Sequence, residues 1–143
     1  MTKIIAELTA TQLLWLCILL HLVADFCLQG CLADLKQKIW WKAQIEKHIA
    51  TSTEAYQNQE KTRERYRHDY IAGLVCHALM WSLLTYLPLM FVCTDGMFTL
   101  TILVNTFVHA RVDDLKANKF RYNLWQDQAI HIIQIFLTLM CVL

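Results

Sequence analysis

The sequence predicts an all-α fold: a four-helix transmembrane bundle running up-down-up-down, with a polar helical cytoplasmic segment between its first two spans. Three observations carry this reading. Of the 143 residues, 57% are hydrophobic, which leaves little polar surface for a small water-soluble domain. Three glycines and one proline supply too few turn residues for an all-β chain, so helices in lipid lead and a soluble helical bundle is the runner-up. The apolar residues also gather into four segments. The length suits one domain. A net charge of +1 offers no basic field for nucleic acid, so the expected partner is membrane lipid, with a homo-oligomer left open.

The spans are expected at about 4–28, 70–93, 97–116 and 124–143. A span needs about 20 residues at 1.5 Å each, so the third must run on through Asp113 and the fourth must include Asp127. Carboxylates at those depths have to face protein or a water-filled cavity. The first segment carries Lys3 and then an apolar run, with no small-x-small cleavage site behind it, and reads as a retained span.

The polar segment 30–69 divides in two. Leu32, Leu35, Ile39, Trp40, Ile45 and Ile49 recur at near-helical spacing among Lys36, Lys38, Lys42 and Lys47, the pattern of an interfacial amphipathic helix with Trp40 and Trp41 as anchors. The second half is polar, and Thr51 with Glu54 matches a capping box opening a solvated helix. Thr94, Asp95 and Gly96 form a tight turn between spans two and three, and 114–123 joins spans three and four. Eight lysines and arginines lie in 30–69 and three more in the last connection, against Lys3 alone on the opposite side. Both termini should therefore face away from the cytoplasm. The six cysteines show no CxxC pair and read as reduced packing residues.

Histidines and aspartates inside the spans carry the chemistry. His21 with Asp25, His109 with Asp113, and Asp127 with His131 are i,i+4 pairs, each on one helix face. His77 stands alone on span two. His21 lies seven residues before the end of its span, and His77 and His131 lie seven after the start of theirs. Each is thus about 10 Å in from the cytoplasmic boundary. Antiparallel packing would bring all four polar faces to one level. Imidazole and carboxylate on facing helices make sites for zinc, iron or manganese. The expected ligands are His21, Asp25, His77, His109, Asp113, Asp127 and His131. Being more than one tetrahedral ion needs, they imply either two metals or aspartates that orient histidines. A metal-free hydrogen-bonded network and a proton relay are the rival readings.

The segments HLVADFCLQ from His21, RHDYIAGLVCHALMWS from Arg67, HARVDDLKAN from His109 and DQAIH from Asp127 resemble an uncharacterised family of small bacterial and phage integral membrane proteins, a domain of unknown function. The likeness covers nearly the whole chain, although the segment before span two matches only at its end. It implies a bacterial inner-membrane location and a polar set here comprising His21, Asp25, Gln29, His77, His109, Asp113, Lys116, Asp127, Gln128 and His131. It implies no activity.

The expectation from these residues is a metal-dependent hydrolase of a lipid or isoprenoid phosphate. Asp25, Asp113 and Asp127 are its candidate catalytic groups, and Lys116, Gln29 and Gln128 its candidate substrate contacts. A metal-ion or proton transporter is the alternative from another class. A phage or host interaction protein with a structural polar core is the third. No Gly-rich phosphate loop and no GxSxG is present, so nucleoside triphosphate and serine chemistry have no support.

Overall fold

The computed structural model describes residues 9–53 and 56–143, and every regular element among them is helical. In chain order these are α1 (Ala10–Leu22), a π-turn (Val23–Cys27), α2 (Leu32–Leu35), α3 (Lys38–Thr51), α4 (Tyr56–Arg65), α5 (Asp69–Thr85), a 3₁₀ turn (Leu87–Phe91), α6 (Asp95–Ala117) and α7 (Leu124–Val142). Lys3, the start of the first expected span, and Glu54 lie outside the described residues.

Local chemistry sets the boundaries. Thr9 opens α1 and Asn123 opens α7, each through a reciprocal capping box with a glutamine three residues on, Gln12 and Gln126. The π-turn closes with Leu28 N–H on the Val23 carbonyl at 3.1 Å, and it carries Asp25. The expected second span is one α-helix only as far as Thr85. Pro88 lacks an N–H, and its ring would press on the carbonyl four residues back, so the chain tightens into the 3₁₀ turn. Thr94 caps the next helix, which begins at Asp95 inside the expected turn and continues unbroken past Asp113.

The polar segment departs from the expected single amphipathic helix. It breaks at Lys36 and Gln37 into α2 and α3, and α3 buries only Ile49 while Ile39 stays 62% exposed. Thr51 ends a helix rather than opening one, because its hydroxyl donates back to the carbonyls of Lys47 and His48. Arg63 ties α4 to α3 through Glu46 at 2.8 and 3.0 Å. Those hydrogen bonds from Arg63 hold the Glu46 carboxyl below the ordinary glutamate range.

Four helices close a ring, with α1 against α5 and α7, and α6 against α5 and α7. The late residues of α1 and α6 meet the early residues of α5 and α7, so neighbours run antiparallel. Leu13, Cys17, Trp81, Tyr86, Leu89, Ile102, Ile135 and Leu139 fill one apolar half of the interior. The outside is apolar as well: Trp15, Leu103, Phe107 and Met140 are each more than 60% exposed. By length and apolarity one described helical stretch, Ala10–Cys27, is sufficient to cross a membrane, with mean hydropathy 1.7 over 18 residues. The other three ring helices fall short of that criterion: α5 has 17 residues, and α6 and α7, at 23 and 19 residues, are long enough but less apolar, with Asp113 near the end of one and Asp127 in the first turn of the other.

Candidate metal centre

Each ring helix sends one imidazole inward, and the four sit together with three carboxylates. His21, His109, His131 and Asp127 are fully buried, and His77, Asp113 and Asp25 nearly so. Asp113 is central: its Oδ2 lies 3.2 Å from His77 Nε2, and its Oδ1 lies 3.4 Å from His131 Nε2 and 3.7 Å from His109 Nε2. Asp25 Oδ1 is 3.5 Å from His77 Nε2, and Asp127 Oδ1 is 3.5 Å from His131 Nε2. His77 Nε2 and His109 Nε2 are 3.2 Å apart.

These separations suit a metal. Two ligand atoms at about 2.05 Å from a tetrahedral ion lie about 3.3 Å from each other. Two triples, Asp25–His77–His109 and His109–Asp113–His131, each bring one ligand atom per residue within 4.8 Å of the others. The buried His/Asp cluster could therefore hold a metal ion.

His21 occupies a different place. An indole N–H can only donate, so the 2.8 Å bond from Trp81 Nε1 makes His21 Nδ1 an acceptor and leaves its proton on Nε2. Gln128 is its neighbour. The one unpartnered polar atom of each is a donor on His21 (Nε2) and an acceptor on Gln128 (Oε1). The Gln128 amide then donates to Asp25 Oδ2 at 3.0 Å and Asp127 Oδ2 at 3.3 Å. The Gln128 amide thus holds the Oδ2 atoms of both carboxylates, while their Oδ1 atoms lie toward His77 and His131. Neither His21 nor Asp127, both expected ligands, belongs to a metal-competent triple, and the bond from Trp81 occupies His21 Nδ1.

Two ammonium groups complete the cluster. Lys116 Nζ, expected from the sequence to contact substrate, is paired with Asp127 Oδ2. Lys36 Nζ lies 2.6 Å from Asp113 Oδ2 and is buried, although the sequence pattern placed it on a solvated face. Its segment is docked by three devices. At Gly73 on α5 a Cβ would overlap the Leu35 carbonyl. Asn118 brackets the break in the polar segment, donating to the Lys36 carbonyl at 3.2 Å and accepting from Lys38 N–H at 2.7 Å. Trp41 Nε1 donates to the Leu35 carbonyl at 2.8 Å. No spacing rule signals this position for Lys36, whereas Trp81 lies four residues after His77 and so on its face. Gln29, half-buried, bonds the Asp25 carbonyl and reaches its Oδ1 at 3.4 Å.

Trp81 forms the floor. It stacks on His109 at 4.1 Å between ring centroids, meets His131 at 5.4 Å and His21 at 5.5 Å, and touches Tyr86 on its far side at 6.0 Å. Beyond it lies a second polar layer, where Asn105 Oδ1 accepts from Tyr86 Oη, Gln134 Nε2 and Thr138 Oγ1 at 2.8 to 3.0 Å. No protein-family model, curated protein or solved structure matches the chain.

Proposed function

We propose that the chain is an integral membrane protein of the bacterial inner membrane, its four ring helices crossing the bilayer, and that its His/Asp cluster holds a divalent transition metal (zinc, iron or manganese) for hydrolysis of a lipid or isoprenoid phosphate from the cytoplasmic leaflet. What supports the membrane is the inverted partition. Seven ionisable site residues are inside while many large apolar side chains of the same helices, Trp15, Leu103, Phe107 and Met140 among them, face out, the reverse of what water selects. Where α5, α6 and α7 are short or charged, their polar residues face the ring interior, the arrangement that lets such helices remain in lipid.

One observation carries the metal: His131 Nε2 and Asp127 Oδ1, both fully buried and 3.5 Å apart, have no hydrogen-bond partner among the described residues. Buried polar atoms left so cost about 1–3 kcal/mol each, a penalty that a shared cation removes. A bound metal supplies Lewis acidity and lowers the pKa of its water toward about 7. In the reaction the water oxygen forms a bond to phosphorus and the bond from phosphorus to the lipid oxygen breaks. The alcohol leaves with one water proton, and phosphate retains the other as its hydroxyl. Asp25, Asp113 and Asp127 would accept and return that proton, and Lys116, Gln29 and Gln128 would contact the substrate.

The test is elemental analysis and phosphate release, in mild detergent, for the wild type and His131→Ala. Stoichiometric metal and release from a polyprenyl phosphate, both lost in the variant and on chelation, are expected. Substoichiometric metal after metal-replete expression, with melting unchanged by chelation, would overturn the proposal. The transporter reading has one observation on its side, the second polar layer beyond Trp81. Metal or proton flux in reconstituted vesicles without hydrolysis would select it.

A further inference from the structure

We infer that the site takes two divalent transition metal ions, bridged by Asp113; this rests on the proposed metal-binding reading and deepens it. The two oxygens of Asp113 face ligand sets that are approximately symmetric. Around Asp113 Oδ2 stand His77 Nε2 at 3.2 Å and, 3.5 Å further on, Asp25 Oδ1. Around Asp113 Oδ1 stand His131 Nε2 at 3.4 Å and, again 3.5 Å further on, Asp127 Oδ1. Each half is one imidazole, one carboxylate of its own and one oxygen of the shared carboxylate. In each half the two edges that meet at the imidazole, 3.2 and 3.5 Å at His77 and 3.4 and 3.5 Å at His131, lie close to the roughly 3.3 Å separation of ligands around one small ion.

A single ion cannot use both halves. Its ligands would have to include both oxygens of Asp113 and both outer carboxylates as well as two or three imidazoles, more than a tetrahedral site accepts. A carboxylate with one oxygen toward each of two ligand sets is instead the bridge of a two-metal site, whose ions stand about 3.5–4 Å apart. The support around the cluster obeys the same symmetry. One amide, Gln128 Nε2, holds the Oδ2 atoms of both Asp25 and Asp127, so both Oδ1 atoms face inward together. His109 is shared in the same way, standing with His77 and Asp25 in one metal-competent triple and with His131 and Asp113 in the other.

Charge identifies the substrate class such a pair would take. With the imidazoles neutral, three carboxylates and the ammoniums of Lys36 and Lys116 sum to −1. Two divalent ions raise this to +3, a value the interior holds only with anions beside it. A phosphomonoester dianion and one hydroxide cancel it.

The experiment loads tag-free protein, with the exposed His48 and His68 changed to alanine so that they hold no stray metal, with manganese(II). It measures ions per chain after desalting and records low-temperature electron paramagnetic resonance. Two ions per chain with an exchange-coupled spectrum are expected. His77→Ala and His131→Ala should each fall to one ion and show the six-line signal of isolated manganese, so neither test depends on a single variant folding. One ion per chain in the parent with an uncoupled spectrum would overturn the two-metal inference and leave the metal-binding proposal standing. Two ions that remain uncoupled would also overturn the bridge. No bound ion would overturn both.

Discussion

Gly73→Ala should disable a lysine it never touches. The added Cβ would overlap the backbone carbonyl of Leu35, and a backbone atom of a docked turn cannot rotate away as a flexible side chain can. The segment carrying Lys36 must lift, taking the ammonium off Asp113 Oδ2, where it now sits at 2.6 Å. Breaking a buried ion pair while one charge stays behind costs about 3–5 kcal/mol. Alanine returns about 1 kcal/mol through its better helix propensity. The net expectation is a loss of about 2–4 kcal/mol. Lys36→Met should lose about 3–5 kcal/mol by the same route without the propensity gain. Because both act on one contact, the double variant should be no worse than Lys36→Met alone. Denaturant unfolding of the four proteins in mild detergent measures this. Wild-type stability in Gly73→Ala, or full additivity in the double variant, would refute the docking argument.

Asn118→Ala removes both brackets of the same turn and should cost about 1–3 kcal/mol, read as faster amide exchange at Lys36 to Lys38 with metal content retained. Trp81→Phe keeps the stacking surface but leaves His21 Nδ1 without its donor; it should destabilise by about 1–3 kcal/mol, with metal per chain unchanged by elemental analysis. A cysteine placed at Thr94 should resist membrane-impermeant reagents from the cytoplasmic side, and strong labelling there would reverse the proposed topology. The Glu46–Arg63 tie should be present at neutral pH and lost as pH falls through the lowered Glu46 value, since a depressed carboxyl pKa adds stability only above it. Exchange in α3 and α4, compared at neutral and acidic pH and at high salt, checks this exposed and screened pair.

The histidine cluster was legible because its information is local. An i,i+4 pair fixes a face, and counting from a span boundary fixes a depth, so His21, His77, His109 and His131 could be placed together before any helix was packed. Lys36 was not legible, because its position is decided by contacts at Gly73 and Asn118, far along the chain, and periodicity alone puts it with Lys38 and Lys42. The role of His21 was hidden for a related reason: spacing locates an imidazole, but only its partner, Trp81, says which nitrogen is free. Thr51 illustrates the opposite failure. Threonine followed three residues later by glutamate reads as a helix start, and the same hydroxyl closes a helix when it turns back to the preceding carbonyls. The membrane expectation rests on segment length and apolarity together, which one described stretch, Ala10–Cys27, satisfies.

Trp81 bears on time as well as on place. An indole wedged across the bundle axis, stacked on one ring and hydrogen-bonded to another, is a stopper between the carboxylate chamber and the amide layer around Asn105. Anything passing along this axis from one polar layer to the other would have to wait for that ring to swing out of a closely filled interior. Traffic through the protein would then run at the pace of a rare side-chain excursion. A reactant that stays on the carboxylate side of Trp81 never meets the stopper, and its turnover would carry no such delay.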